Sequence, residues 1–377
     1  MKVLIAMDSF KGSLTSIEAG QAVQEGILQA MSHVQIDLSP LADGGEGTVD
    51  ALCCGGSGRI ERSSVTGPLG QPVSAKYGVL SNEIAVIEVA EAAGLTLIPE
   101  EKRDPLYTTT YGVGELILDA IEKGCREFLI GLGGSGTNDG GVGMLTALGW
   151  SFTDKEGLTI APGAAGLRDL HAIDQSRVRQ DVKQCRFRVA CDVNNPLLGD
   201  HGCSAVFAPQ KGATPQSVRC MDQWLGAYSR LVKEHFPTAD PTLPGGGAAG
   251  GLGFAFATFL DGSLEPGAGI VAEICDLENR IAASDIVITG EGCLDGQTAM
   301  GKGPIHIARL GKKYGKEVMI FAGCLGRNAE KCLREGVSAY YGVLPSGMSK
   351  EEGMVPERAY ENLKNAVSRV FASKNEG

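Results

Sequence analysis

The sequence is poor in histidine, with 5 in 377 residues, and those few are scattered, which argues against a zinc site. Its 11 cysteines contain no C-x-x-C pair and no Cys/His ligand cluster, so they are expected to be reduced, mostly packed thiols. It has no Lys/Arg-rich run, and Lys+Arg 34 against Asp+Glu 45 leaves a formal charge of −11. Neither nucleic acid nor an anionic membrane is therefore expected as the main partner. A small anion is still allowed, because a local loop can oppose the overall field. The longest apolar stretch, near residues 254–260, falls far short of the ~20 residues a spanning helix needs. The opening MKVLIAMDSFKG has only a short apolar run before Asp8, so no secretory leader is expected and the reading is of a cytoplasmic protein. No internal repeat and no low-complexity linker is present.

Glycine and acid are what the chain has in quantity, with 54 glycines and 45 carboxylates. Six of the glycines crowd into GLGGSGTNDGG, residues 131–141, where Ser135, Thr137, Asn138 and Asp139 fill the gaps. Gly131, Gly133 and Gly136 have the spacing of the dinucleotide fingerprint G-x-G-x-x-G, and Gly245, Gly247 and Gly250 repeat it in PGGGAAGG. In so glycine-rich a chain the spacing alone decides nothing. After Gly136 come Asn138, Asp139, Gly140, Gly141 and Gly143, which break the smooth helix a dinucleotide fold requires. A second near match, GQTAMGKG at 296–303, puts Gly303 where a P-loop needs Ser or Thr for the metal. It is read as a phosphate-side loop with a useful lysine.

The length suits two or three domains of ~150 residues. Apolar runs at 3–7, 34–38, 285–289, 318–322 and 338–344 read as strands. Helical patterns follow Ser16, a candidate N-cap, and cover 46–52, 304–314 and 357–371. This alternation predicts a doubly wound parallel sheet assembled from both ends of the chain. The middle reads as two adjacent strands with a turn near Ser81 and Asn82, a helix over 108–123, strands at 128–131, 187–190 and 203–208, and a helix over 217–236. The expected division is an α/β domain of residues 1–67 and 281–377 with a second α/β domain, 68–280, inserted.

In such sheets ligands gather beyond the carboxyl ends of the strands. Nearly every loop there carries glycine and an acid: Asp8, Ser9 and Lys11; Asp43, Gly44, Gly45 and Glu46; Asp139; Asp192; Glu291 and Asp295, followed by Gln297, Thr298 and Lys302. Any one of them could be a cap or turn residue; their recurrence at one end of successive strands points to a site. Two carboxylates 4 Å apart repel by ~4 kcal/mol at an effective dielectric near 20, so converging acids must shift their pKa values or hold a cation. Oxygen ligands with almost no histidine favour Mg²⁺, brought in with phosphates. Glycine lets the backbone approach a phosphate and aim N–H groups at it. The 131–141 loop is accordingly expected to wrap phosphate, with metal beside Asp139.

The blocks DSFKGS, PLADGGEGT, TGPLGQPV, TTTYGVGELI, GGSGTNDGG, ACDVNNPL, FAPQKGA and ITGEGCLDGQTAMGK run in order from Asp8 to Lys302. Together they resemble the type-1 glycerate kinases of bacteria. The resemblance implies a discontinuous Rossmann-like domain with an inserted α/β domain and the active site between them. It also implies transfer of phosphate from ATP to glycerate with Mg²⁺, giving 2-phosphoglycerate. Two positions depart from the family pattern: Cys293 stands where GEGR-x-D usually has arginine, and Gly136 where alanine is commoner.

The catalytic candidates are Asp192, as the base, with Asp295, Lys11 and Lys302. Substrate or nucleotide contacts are expected from Asp8, Ser9, Asp43, Gly44, Gly45, Glu46, Gly133, Gly134, Ser135, Thr137, Asn138, Asp139, Glu291 and Gln297. Asp43, Asp139 and Glu291 are the candidate metal ligands. A monomer or homodimer is expected. The rival readings are an NAD-dependent oxidoreductase of a hydroxy acid and a non-catalytic sugar-acid-binding protein on the same fold.

Overall fold

The computed structural model describes residues 1–53, 58–296, 298–300 and 303–375. In chain order its strands are β1 (Lys2–Met7), β2 (Gln35–Leu38), β3 (Gly58–Thr66), β4 (Pro72–Leu80), β5 (Ile84–Glu88), β6 (Glu127–Gly131), β7 (Ser151–Thr153), β8 (Ala172–Asp174), β9 (Arg186–Ala190), β10 (Ser263–Glu265), β11 (Ile286–Leu294), β12 (Glu317–Leu325) and β13 (Ala339–Gly342). They fall into two compact units, one of residues 1–43 and 268–377, the other of residues 44–267.

The first unit holds a sheet ordered β13-β12-β11-β1-β2, parallel throughout. The run Val3, Leu4, Ile5, Ala6 and Met7 is fully buried, as a central parallel strand covered on both faces demands. Helix Ser16–Ala30 begins with a capping box: the Thr15 side chain accepts the Glu18 N–H, and the Glu18 carboxylate accepts the Thr15 N–H. Thr15, not Ser16, is therefore the cap, because only Thr15 has a glutamate three residues ahead. The buried stripe Ala19, Val23 and Ile27 packs in one core with Leu363, Val367 and Phe371 of helix Pro356–Asn375. Gly26 permits that approach, since a Cβ there would lie 2.5 Å from the Lys364 carbonyl oxygen. From β1 the chain passes to β2 on one side while β11 lies on the other, so the order switches between β1 and β11. That switch is where α/β sheets open a ligand crevice.

The second unit holds a sheet ordered β10-β9-β6-β5-β4-β3, in which β5, β6, β9 and β10 are parallel and β3 and β4 antiparallel. Its core runs from Val65 to Leu264 and includes Tyr77, Phe128, Phe187, Tyr228 and Phe254. Both unit boundaries lie earlier than the sequence suggested. Strand β3 pairs with β4 from Gly58↔Leu80 to Thr66↔Pro72, which ties it to the second sheet and moves the first boundary from 67 to 43. Arg280 donates to Ser39 Oγ and to the Leu38 carbonyl, which ties the segment before 281 to the first unit. The stretch 203–208, expected as a strand, is instead helix Cys203–Phe207. A six-residue apolar run has no period long enough to separate strand from buried helix, and here Gly202 starts the turn by accepting the Val206 N–H. Among the described residues no helix is long and apolar enough to cross a membrane.

Candidate active site

In the first unit three acids gather at the carboxyl ends of the strands. Met7 pairs with Gly290, so Asp8 and Glu291 follow side by side on β1 and β11, and the Asp8 N–H donates to the Gly290 carbonyl. Beyond β2 the chain stays alongside β1, with Ser39 and Leu41 N–H groups donating to Ile5 and Met7, and so delivers Asp43. Asp8 and Glu291 are each 8% exposed. Burial first, then the Asp43 carboxylate, pushes the Asp8 carboxyl up to about 7; Glu291 adds to this, while the Ser9 N–H and Lys11 oppose it. That N–H donates to Asp8 Oδ1 at 2.7 Å. Lys11 Nζ reaches Asp43 Oδ2 at 3.0 Å with its side chain 75% exposed, an ion pair that solvent screens.

The loop after β11 is held by Thr298. Its hydroxyl donates to Glu291 Oε1 at 2.6 Å, its N–H donates to Asp295 Oδ1 at 3.1 Å, and its Oγ1 accepts the Asp295 N–H at 3.2 Å. Asp295 and Glu291 are thereby coupled through one threonine, which the sequence showed only as a loop residue beyond Asp295. Gln297 and Lys302 lie outside the described residues.

In the second unit the glycines serve close backbone approach. Gly44 has φ +81°, and a Cβ there would sit 2.1 Å from Ala190 Cβ. A Cβ on Gly131 would sit 1.9 Å from the Gly44 carbonyl oxygen. The segment 44–45 therefore lies against the ends of both β6 and β9. Glu46 is exposed beside it. Glu88, at the end of β5, accepts the Val49 N–H at 2.7 Å and the Gly47 N–H at 3.2 Å; burial raises its pKa and these donors partly offset the rise. It braces the start of helix Thr48–Cys53 and was missed in the sequence, where it reads as the last residue of an apolar strand.

The 131–141 loop splits into a surface and an underside. Gly133 and Gly134 are exposed, Ser135 is 8% exposed, and Thr137, Asn138 and Asp139 are buried. Asp139 accepts from the Thr110 N–H and hydroxyl, both at 2.9 Å, from the Gly143 N–H at 3.2 Å and from the Gly141 N–H at 3.1 Å. Burial raises its pKa against these four donors. These four donors offset its charge from within the loop and make Asp139 a brace beneath it. Asn138 likewise turns inward, donating from Nδ2 to Ser204 Oγ at 2.9 Å. Thr137 Oγ1 and Asn138 Oδ1 are buried and, among the described residues, unpartnered.

Lys211 is the main residue the sequence did not flag. It is 2% exposed, and its Nζ donates to the Thr137 carbonyl at 2.7 Å and to Ser135 Oγ at 3.0 Å. Burial drives its pKa down to about 8. In sequence it stands within the block FAPQKGA, in a turn with no periodicity to single it out.

The second G-x-G-x-x-G match is explained by packing. Ala249, Gly250 and Gly251 are left-handed, with φ of 51°, 68° and 96°, inside helix Ala248–Phe259. Gly250 accepts the Gly140 N–H at 2.9 Å, and a Cβ on Gly250 would lie 2.1 Å from the Thr137 carbonyl oxygen. The two glycine-rich stretches pack backbone to backbone, which accounts for their glycines without a dinucleotide.

Asp192 follows β9 and is exposed. Its Oδ1 accepts the Gly267 N–H at 3.0 Å, and the Cys191 N–H donates to the Glu265 carbonyl, so β9 and β10 fix its backbone. This arrangement leaves a carboxylate at the surface on a rigid stem.

Residues 3–374 match the model of the glycerate kinase family. A glycerate 2-kinase of Escherichia coli K12 is 42% identical over 374 residues, covering 99% of this chain and 98% of that one. A glycerate kinase of Bacillus subtilis 168 is 41% identical over 374 residues, covering 99% and 97%. A crystal structure from Salmonella typhimurium LT2, provisionally assigned as glycerate kinase 2, superposes with a TM-score of 0.91 at 42% identity, covering 100% of this chain and 99% of that one.

Proposed function

We propose roles for these residues from one premise: the chain belongs to the glycerate kinase family, and its activity is the ATP-dependent phosphorylation of glycerate. Phosphoryl transfer demands little covalent chemistry of the protein beyond positioning and neutralisation of charge. The exposed Gly133 and Gly134, with the buried Ser135 next to them, form the phosphate cradle of a loop whose underside is pinned by Asp139 and Lys211. Gly44, Gly45 and Glu46 carry further contacts to nucleotide or substrate.

Asp8, Asp43 and Glu291 form the cation-binding end, with Lys11 and Asp295 beside them. The observation that carries this reading is the Asp8 carboxyl raised to about 7 in the company of two other acids at the switch between β1 and β11. A purely oxygen donor set fits Mg²⁺. Among the described residues no three acids, cysteines or histidines converge closely enough to hold a metal unaided. Mg²⁺ usually takes one or two carboxylates and fills its shell with phosphate oxygens and water. When bound, Mg²⁺ would offset charge on the phosphates.

Asp192 accepts the proton of the attacking hydroxyl, supported by its exposure and rigid stem. Asp192→Asn should lower kcat by about 10²–10⁴ with the melting temperature unchanged, and near-normal kcat would remove it from the mechanism. A second reading makes Asp8 the proton acceptor, because about 7 is the pKa a base at neutral pH should have. The pH profile of kcat separates the two: its acidic limb shifts in Asp8→Asn only under the second reading. The product is 2-phosphoglycerate, as the name of the Escherichia coli relative supports. ³¹P NMR of the product from D-glycerate and ATP tests it, and a 3-phosphate resonance would overturn it.

A further inference from the structure

The reactive groups left outside this assignment include a pair of thiols. Cys293 and Cys324 are register partners on the parallel strands β11 and β12, and burial first, then the Cys324 thiol beside it, pushes the Cys293 thiol up to about 11. Partners on adjacent strands have Cα atoms about 5 Å apart and side chains on one face, within the range a disulfide spans. Both are half-buried, open enough for a small oxidant to reach. Each follows a glycine, and a Cβ on Gly323 would lie 2.5 Å from the Gly292 carbonyl oxygen, so the strands run close together here. Cys293 lies two residues from Glu291 and two from Asp295.

We propose that Cys293 and Cys324 are a reversible redox modification site, closed to a disulfide by an oxidant of the peroxide class. Once closed, the bridge ties the strand end carrying Glu291 and Asp295 to β12 and slows phosphoryl transfer. In the first step one thiol sulfur attacks peroxide, breaking its O–O bond, and becomes a sulfenic acid with release of one water. The second thiol then attacks that sulfur, forming the S–S bond and expelling a second water. Two thiols and one peroxide thus give one disulfide and two waters, and a dithiol reductant reverses the step. The activity consequence rests on the kinase assignment and the bond does not, so the two are read separately.

The full-length protein is treated with hydrogen peroxide, the remaining thiols are alkylated, and the digest is mapped by mass spectrometry while ADP formation from ATP and glycerate is followed. The expected result is a peptide linking Cys293 to Cys324 and a roughly tenfold loss of turnover. Both should be reversed by dithiothreitol and absent in Cys324→Ser and Cys293→Ser. On the unoxidised wild type, phenylarsine oxide should be captured across the same two sulfurs, a check that needs no variant. Failure to find the linked peptide or the arsenical adduct overturns the proposal. So does a linked peptide with turnover unchanged, or equal inactivation of Cys324→Ser.

Discussion

At Asp8, burial and like charge act in the same direction. Its carboxyl titrates near 3.8 in an unfolded chain and near 7 in the folded one. Between those values the folded protein holds a proton that the unfolded chain has released, so this group's stabilising contribution is complete at the acid end and lost as pH rises through 7. Asp8→Asn keeps the shape and removes the titration. Its melting temperature should vary less steeply than the wild type's from pH 4 to 7 and stand about 5 °C higher at pH 8; identical pH slopes would show that Asp8 is not under this pressure. Lys211 poses the opposite problem, a cation with no solvent. In Lys211→Met the stem volume remains and the buried charge goes, a change that is often neutral or stabilising. The Thr137 carbonyl and Ser135 hydroxyl would lose their donor, however, and kcat/KM should fall about tenfold or more through a loosened cradle. Unchanged kcat/KM would reduce Lys211 to packing. The sequence exposed Asp8 by its place after a strand but could not show its state, which depends on Asp43 and Glu291 arriving from remote parts of the chain.

Elements were legible where their patterns were strong. Strands β1, β6, β12 and the first part of β11 announce themselves as apolar runs, because a parallel strand is covered on both faces. Strand β3 was missed, since in GRIERSSVT only Val65 is buried and there is almost no apolar face to read. The glycine-rich segments were recognisable as loops, but their purpose divides in a way that spacing cannot reveal. Gly131 is needed because the Gly44 backbone occupies the place of its side chain. Gly124, after helix Tyr111–Glu122, is needed only for its φ of +98° and has open space around it. Gly131→Ala should therefore destabilise by about 3 kcal/mol and abolish most activity, since neither backbone can yield. Gly124→Ala should cost about 1 kcal/mol with activity kept. Urea midpoints paired with ADP formation measure both, and equal penalties would refute the distinction. Gly136, where the resembling family more often has alanine, is of neither kind: a Cβ there would meet the tip of a flexible side chain, Ile98 Cδ1, at 2.6 Å, and the Leu95 backbone only at 3.0 Å.

For the whole molecule, the interrupted plan was readable because α/β periodicity appears at both ends of the chain and changes character in the middle. The positions of the interruptions were not, because they depend on pairing: β3 joins β4, and Arg280 joins Ser39. With boundaries at 43 and 267, the second unit contains its complete six-stranded sheet and a core formed wholly by its own residues. Its two ends are also held from within, since Gly44 packs on Ala190 and Gly131 while the Gly267 N–H donates to Asp192. A domain with its own core and few chain crossings should fold alone. A fragment of residues 44–267 is expected to give a mixed α/β circular dichroism spectrum and one cooperative thermal transition. It should form no ADP from ATP and glycerate, because Asp8, Lys11, Asp43 and Glu291, the groups proposed to bind the cation and neutralise charge, belong to the other unit. A fragment starting at 68 should fail, having lost β3 and the helix Thr48–Cys53 that Glu88 caps. If the longer fragment were unfolded, or the shorter one equally stable, the boundary at 43 would be wrong and β3 would not be integral to the second sheet.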